Sequence, residues 1–195
     1  DRVSDVAKGA ALMTGTKVSY RTVSAYADLL SVPAMEKLMM AAMQETEKPE
    51  YTEEDYAYAA KFMLLPELSG TADAASIDQT MREEAASAHA SIDTEILPAG
   101  QTINLGSTDV GDVSYCTPTA QLGTCCWANG TPGHTWQVAA QDGCSIGHKG
   151  MIAASKALAL AVIRTMVDPE LLKKAHEEYV KTTGGKYICP VPPET

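Results

Sequence analysis

Short runs of strand-forming residues alternate along this chain with segments of helical period, and that alternation limits the fold more than any other feature. Apolar positions three and four residues apart mark helices over 2–14 (Val3, Val6, Ala7, Ala10, Met13), 33–44 (Met35, Leu38, Met39, Ala42, Met43) and 53–64 (Tyr56, Ala59, Ala60, Met63, Leu64). Gly15 suits the residue after the first helix, Pro33 the first turn of the second, and Thr52 the N-cap of the third. Residues 147–167 are apolar on most sides, which predicts a long buried helix. A last helix is expected from the N-cap Asp168 and Pro169 to the Gly184–Gly185 stop. Between these lie candidate strands. Over 16–26, Val18, Tyr20 and Thr22 alternate with Lys17, Ser19 and Arg21, the pattern of a half-buried strand. Residues 113–117 and 123–127 are bounded by Gly or Pro and read as central strands. The span 66–106 is less legible, with a thin helical stripe at 77–90 and a short strand at 92–97, and the tail ICPVPPET reads as coil. Helices interleaved with apolar strands predict an α/β layered sheet. The first 26 residues, helix then strand, fit a separate small α+β unit, with 26–32 as the crossing point.

A chain of 195 residues suffices for one domain, or one domain and part of another. Aromatics are only 6% of it, so aliphatic side chains and nine methionines must fill the core. The net charge of −10 and the lack of a Lys/Arg cluster argue against a nucleic-acid or anionic-membrane partner. The most apolar run, 153–167, is interrupted by Lys156 and Arg164, which argues against a membrane span. Five cysteines without C-x-x-C spacing fit reduced, mostly buried thiols in a cytoplasmic protein better than a zinc knuckle. The chain opens inside a helical period without an initiator Met or a signal-peptide pattern, which suggests a piece of a longer polypeptide.

Chemistry concentrates in 106–151, where ionisable side chains sit on Gly-punctuated turns. His134, in the loop GTPGHTW, reads as a metal ligand or proton carrier, or as a surface histidine without a role. Asp109 and Asp112 fit carboxylates that divide acid and base work or orient a metal-bound histidine, and equally fit turn caps. His148 and Lys149 open the long helix, whose N-terminal dipole attracts anions; packing and plain solvation are the alternatives. The Glu53–Glu54, Glu83–Glu84 and Glu177–Glu178 pairs read as solvated helix faces.

Four segments in order, GAALMTGTKVSYR, GSTDVGDVSY, GTPGHTWQ and HKGM, resemble the C-terminal half of M20-type metal-dependent amidohydrolases, closest to the branch acting on aminobenzoyl-glutamate. The resemblance covers about 1–26 and 106–187. It implies a three-layer α/β/α zinc-peptidase-like catalytic domain over 27–195, preceded at 1–26 by the end of an α+β lid that mediates dimerisation. It places His134 on the family's late metal-ligand histidine and puts Asp109 and Asp112 near its acidic active-site border. His148 falls on a motif of the subgroup with no role to carry over. It further implies a divalent metal cofactor, zinc with manganese as the alternative, two ions in the complete enzyme. The family's other ligands, its general base and its oxyanion-stabilising lid histidine precede the lid and have no counterpart here, so no catalytic residue is expected within this chain.

The sequence therefore leads to part of a metal-dependent amidohydrolase cleaving an N-acyl or aminobenzoyl-glutamate-like amide. It is expected to be inactive alone and to associate as a homo- or hetero-oligomer. The alternative is a non-catalytic subunit or binding module that contacts a partner chain.

Overall fold

A computed structural model describes residues 2–63, 91–96, 106 and 108–191. Seven helices lie within them: α1 (Arg2–Thr14), α2 (Pro33–Glu45), α3 (Glu53–Met63), α4 (Val110–Ser114), α5 (Trp136–Asp142), α6 (Ser145–Val167) and α7 (Pro169–Thr183). No strand occurs among the described residues. The three-layer α/β/α architecture, and the layered sheet behind it, are thereby overturned. Residues 16–32 run without regular hydrogen bonding, most of 113–117 is taken up by α4 and the turns after it, and 118–126 forms no ladder. A strand exists only where a second backbone pairs with it, and side-chain preference does not supply that partner. The candidate helix at 77–90 lies outside the described residues, as does the end of the strand expected at 92–97.

Periodicity locates the long helices well, and local chemistry explains their ends. Asp168 accepts a hydrogen bond from the Leu171 N–H at 3.0 Å, Pro169 opens α7, and Gly184 closes it at φ 68° with its N–H on the Val180 carbonyl. At α3 the N–H of Thr52 donates to Asp55 Oδ2 (2.8 Å) while the Asp55 N–H donates to Thr52 Oγ1 (3.3 Å), a reciprocal cap. The start of α2 has no cap of its own. Its Ala34 N–H instead donates to Glu178 Oε2 on α7 at 2.7 Å, so Glu178 belongs to a packing contact and not to a solvated face.

Helices α2, α6 and α7 pack on one another, and α5 packs on α6. One apolar cluster joins Leu30, Val32 and Ala34 to Ala175 and Tyr179. A second joins Leu38, Met39 and Ala42 of α2 to Ala161 of α6. A third gathers Ala59, Ile92, Ala128 and Ile146 under a collar of Tyr51, Tyr56, Tyr58 and Phe62. Two glycines permit the closest approaches. A side chain at Gly111 would strike the Ala27 carbonyl, and one at Gly150 would strike the Cys125 carbonyl and the Cys126 sulfur.

One expectation about burial fails, that of α6, and a further helix leaves its apolar stripe in water. The apolar stripe of α1 packs on little: Val3, Val6 and Met13 are exposed. Helix α6 is not buried all round. Ile146, Gly147, Gly150, Ala157 and Ala161 face inward, while Met151, Ile152, Leu158, Val162, Ile163, Met166 and Val167 face solvent. By length and composition α6 also suffices to cross a bilayer, contrary to the expectation drawn from Lys156 and Arg164. Both cations, and Lys149, instead take carboxylate partners on the α2–α3 side of the fold: Lys156 with Glu47 (3.5 Å), Arg164 with Glu45, and Lys149 with Asp55 (2.6 Å).

Candidate functional site

His134 sits in the loop leading into α5. Its backbone has φ 60°, the one described non-glycine residue in the left-handed region, and its ring is exposed. The loop is tied by Thr135 Oγ1 donating to the Pro132 carbonyl at 2.8 Å. Thr135 then turns extended, and α5 begins at Trp136. A left-handed histidine is uncommon, and its strain persists only where the surroundings fix the turn.

Asp109 stands at the N-cap of α4, exposed and without a capping hydrogen bond from its side chain. Asp112 lies within α4 and is half-buried. It accepts from the Ala27 N–H (3.4 Å) and the Tyr187 hydroxyl (3.0 Å), so it ties the 27–32 segment and the C-terminal tail to α4. The hydrogen bond to Asp112 and partial desolvation hold the Tyr187 phenol well above its ordinary range. Nearby, Ser114 Oγ donates to the Gly111 carbonyl and accepts from the Leu30 N–H, and Tyr179 donates to the Tyr115 carbonyl.

His148 is exposed in the first turn of α6 and borders an open groove shared with Ser145, Lys149, Glu47, Glu50 and Lys156. Beside it Lys149 turns inward. Its ammonium lies 2.6 Å from Asp55 Oδ2 and 5.7 Å from the centre of the Tyr51 ring. Asp55 is only 5% exposed. Burial acts to raise its pKa, but hydrogen bonds from Lys149, Thr52 and Ser145 outweigh it and bring the carboxyl to about 2. Sequence reasoning gives Lys149 to solvent and leaves Asp55 out. The signal is present in Thr52-x-x-Asp55, a capping pattern whose acid is free to take a second partner.

The five cysteines carry free thiols. Cys116 and Cys189 are exposed and the other three half-buried, so the thiols are not mostly buried as expected. Burial pushes the Cys125 thiol up, the opposite of an activated nucleophile. Among the described residues no three His, Cys, Asp or Glu side chains gather as a metal-binding group. A catalytic zinc needs about three protein ligands. The described part of this chain therefore does not fit a complete metal centre.

No protein-family model and no solved structure matches the chain. One comparison is decisive for kinship. A protein of Escherichia coli (strain K12), named as a subunit of p-aminobenzoyl-glutamate hydrolase, is 34% identical over 205 residues, covering 98% of this chain and 42% of that protein. This chain is a relative of that subunit. The aligned region includes His134, Asp109, Asp112 and His148, and the chain spans less than half the length of the Escherichia coli protein.

Proposed function

We propose that this chain forms part of a metal-dependent amidohydrolase acting on an N-acyl or aminobenzoyl-glutamate-like amide. The observation that carries the reading is 34% identity, over an alignment covering 98% of the chain, to a protein named as a subunit of p-aminobenzoyl-glutamate hydrolase. In this reading His134 contributes one imidazole to a metal centre whose other ligands lie outside the chain. Its exposure on a fixed turn suits a ligand that must be reached by groups from elsewhere. Asp109 and Asp112 border the site. His148, at the N-terminal end of the 23-residue α6, meets a substrate carboxylate, since that end carries free N–H groups and the positive pole of the helix. The described residues do not complete a metal site, so no chemical step is assigned to this chain alone.

A second reading is a non-catalytic subunit that binds a partner. The apolar outer face of α6 favours it. A chimera separates the two. The region of the Escherichia coli protein aligned with this chain is replaced by these 195 residues, and release of p-aminobenzoate from p-aminobenzoyl-glutamate is assayed. The amidohydrolase reading expects release, and a loss of at least about a hundredfold in His134→Ala. A folded, assembled chimera whose His134→Ala variant releases p-aminobenzoate at the parent rate leaves the non-catalytic reading standing.

A further inference from the structure

Gln141, on α5, is fully buried, and both polar atoms of its side chain are in use. Its Oε1 accepts from the Ala128 N–H (2.7 Å). Its Nε2 donates to the Thr131 hydroxyl (3.1 Å) and to the Gln137 carbonyl (3.0 Å). Ala128 and Thr131 precede His134 in the chain and Gln137 follows it, so one side chain ties together the two ends of the turn that carries the imidazole. That turn is costly to hold. Gly130 and His134 both have positive φ, 77° and 60°, and the second conformation is strained for a residue that bears a side chain. Thr131 N–H to the Ala128 carbonyl (3.1 Å) and Thr135 Oγ1 to the Pro132 carbonyl (2.8 Å) shape the loop locally. Asn129 N–H on the Ser91 carbonyl (2.9 Å) anchors its start. Gln141 then joins that anchored start to the helix after His134. The histidine itself is exposed, so packing of its ring does not supply the restraint.

We propose that Gln141 is a positioning residue: it holds the 128–135 turn so that the His134 imidazole points in one fixed direction. The inference rests on the reading of His134 as a working imidazole and adds the group through which the fold aims it. Gln141 touches no reacting atom; it acts through the backbone on either side of the histidine. The amide is suited to this place because it offers an acceptor and two donors on one rigid plane without charge. Glutamate would keep the acceptor for Ala128, lose both donors and carry a charge into a buried position. Methionine has similar length and offers none of the three bonds. A buried polar network whose members are all paired fixes a single arrangement, which is what an exposed ring on a strained turn requires. Aim matters because a reacting group displaced by about 1 Å can lose about a hundredfold in rate.

The test is backbone NMR relaxation on the 195-residue chain, with release of p-aminobenzoate by the chimera as its functional arm. The His134 amide is expected to have an order parameter of about 0.85 in the parent chain and below about 0.6 in Gln141→Met, while the amides of α6 and α7 keep their parent values. Thr131→Val removes one of the three bonds and gives an intermediate value, and Thr131→Ser keeps the hydroxyl and the parent value. The Thr131 pair decides the question if Gln141→Met does not fold. In the chimera Gln141→Met lowers kcat by at least about tenfold with KM unchanged, and has no further effect in a His134→Ala background. A mobile His134 in the parent chain, a rigid one in both Gln141→Met and Thr131→Val, or an equal loss of kcat with and without His134 overturns the proposal. If the order parameters behave as expected and His134→Ala still releases p-aminobenzoate at the parent rate, the strut stands and the functional reading of His134 fails.

Discussion

Lys149 and Asp55 lie far apart in sequence and meet with the carboxylate buried and the ammonium partly exposed, and the pair makes a clear demand on pH. The folded carboxyl titrates at about 2 against an ordinary 3.8. A lowered carboxyl pKa stabilises the fold fully above the unfolded value and is lost as pH falls through the folded one. Stability should therefore decline between pH 4 and pH 2 by about 2 kcal/mol from this group. Urea unfolding across that range checks it. Lys149→Met should lower stability near neutral pH by about 3 kcal/mol, because a buried carboxylate loses its partner, and should flatten the acid decline. His134 makes the opposite demand. Its ring is exposed and asparagine tolerates the left-handed backbone, so His134→Asn should shift unfolding by less than about 0.5 kcal/mol. A larger loss would mean that the ring has a packing role.

At the scale of elements, helices are legible in the sequence and strands are not, for a physical reason. Hydrogen bonds along a helix are local, so the stripe of Leu38, Met39 and Ala42, the cap at Asp168 and the stop at Gly184 place an element without knowledge of its surroundings. The run GTCCW has strand-like composition, yet its ladder depends on a second segment that the described residues do not provide. The SYCT stretch misleads because tertiary contacts decide it. Gly111 presses on the Ala27 carbonyl and Ser114 is claimed by Gly111 and Leu30, which favours a helical turn. Helix α5 escapes notice because seven residues are too few for a period to show. The candidate site residues can be picked from turn chemistry, but the buried pairing of Lys149 cannot, since it joins residues distant in sequence. Two substitutions test the element contacts by chemical denaturation. Gly150→Ala should cost about 1–3 kcal/mol, because the added methyl meets the Cys125 backbone as well as the Cys126 sulfur. Asp168→Ala should cost about 1 kcal/mol through the lost cap of α7.

For the whole molecule, the governing feature is apolar surface left in water. Seven large apolar side chains of α6 are exposed and the helix carries no acidic residue, a surface of the kind proteins use for contact. Size-exclusion chromatography of the chain should give a species larger than the 20.7 kDa monomer, and a Val162→Glu, Ile163→Lys variant should move it toward that mass. A parent chain that elutes as a clean monomer goes against association through this surface. In the proposed reading His134 is one ligand of a shared centre. Equilibrium dialysis against zinc tests that claim most directly, on the 195-residue chain and on the chimera with the Escherichia coli protein. The account predicts substoichiometric zinc on the chain at micromolar free metal, stoichiometric zinc on the chimera, and loss of bound metal from the chimera with His134→Ala. Tight, stoichiometric zinc on the chain alone, or unchanged metal in that chimeric variant, would contradict it.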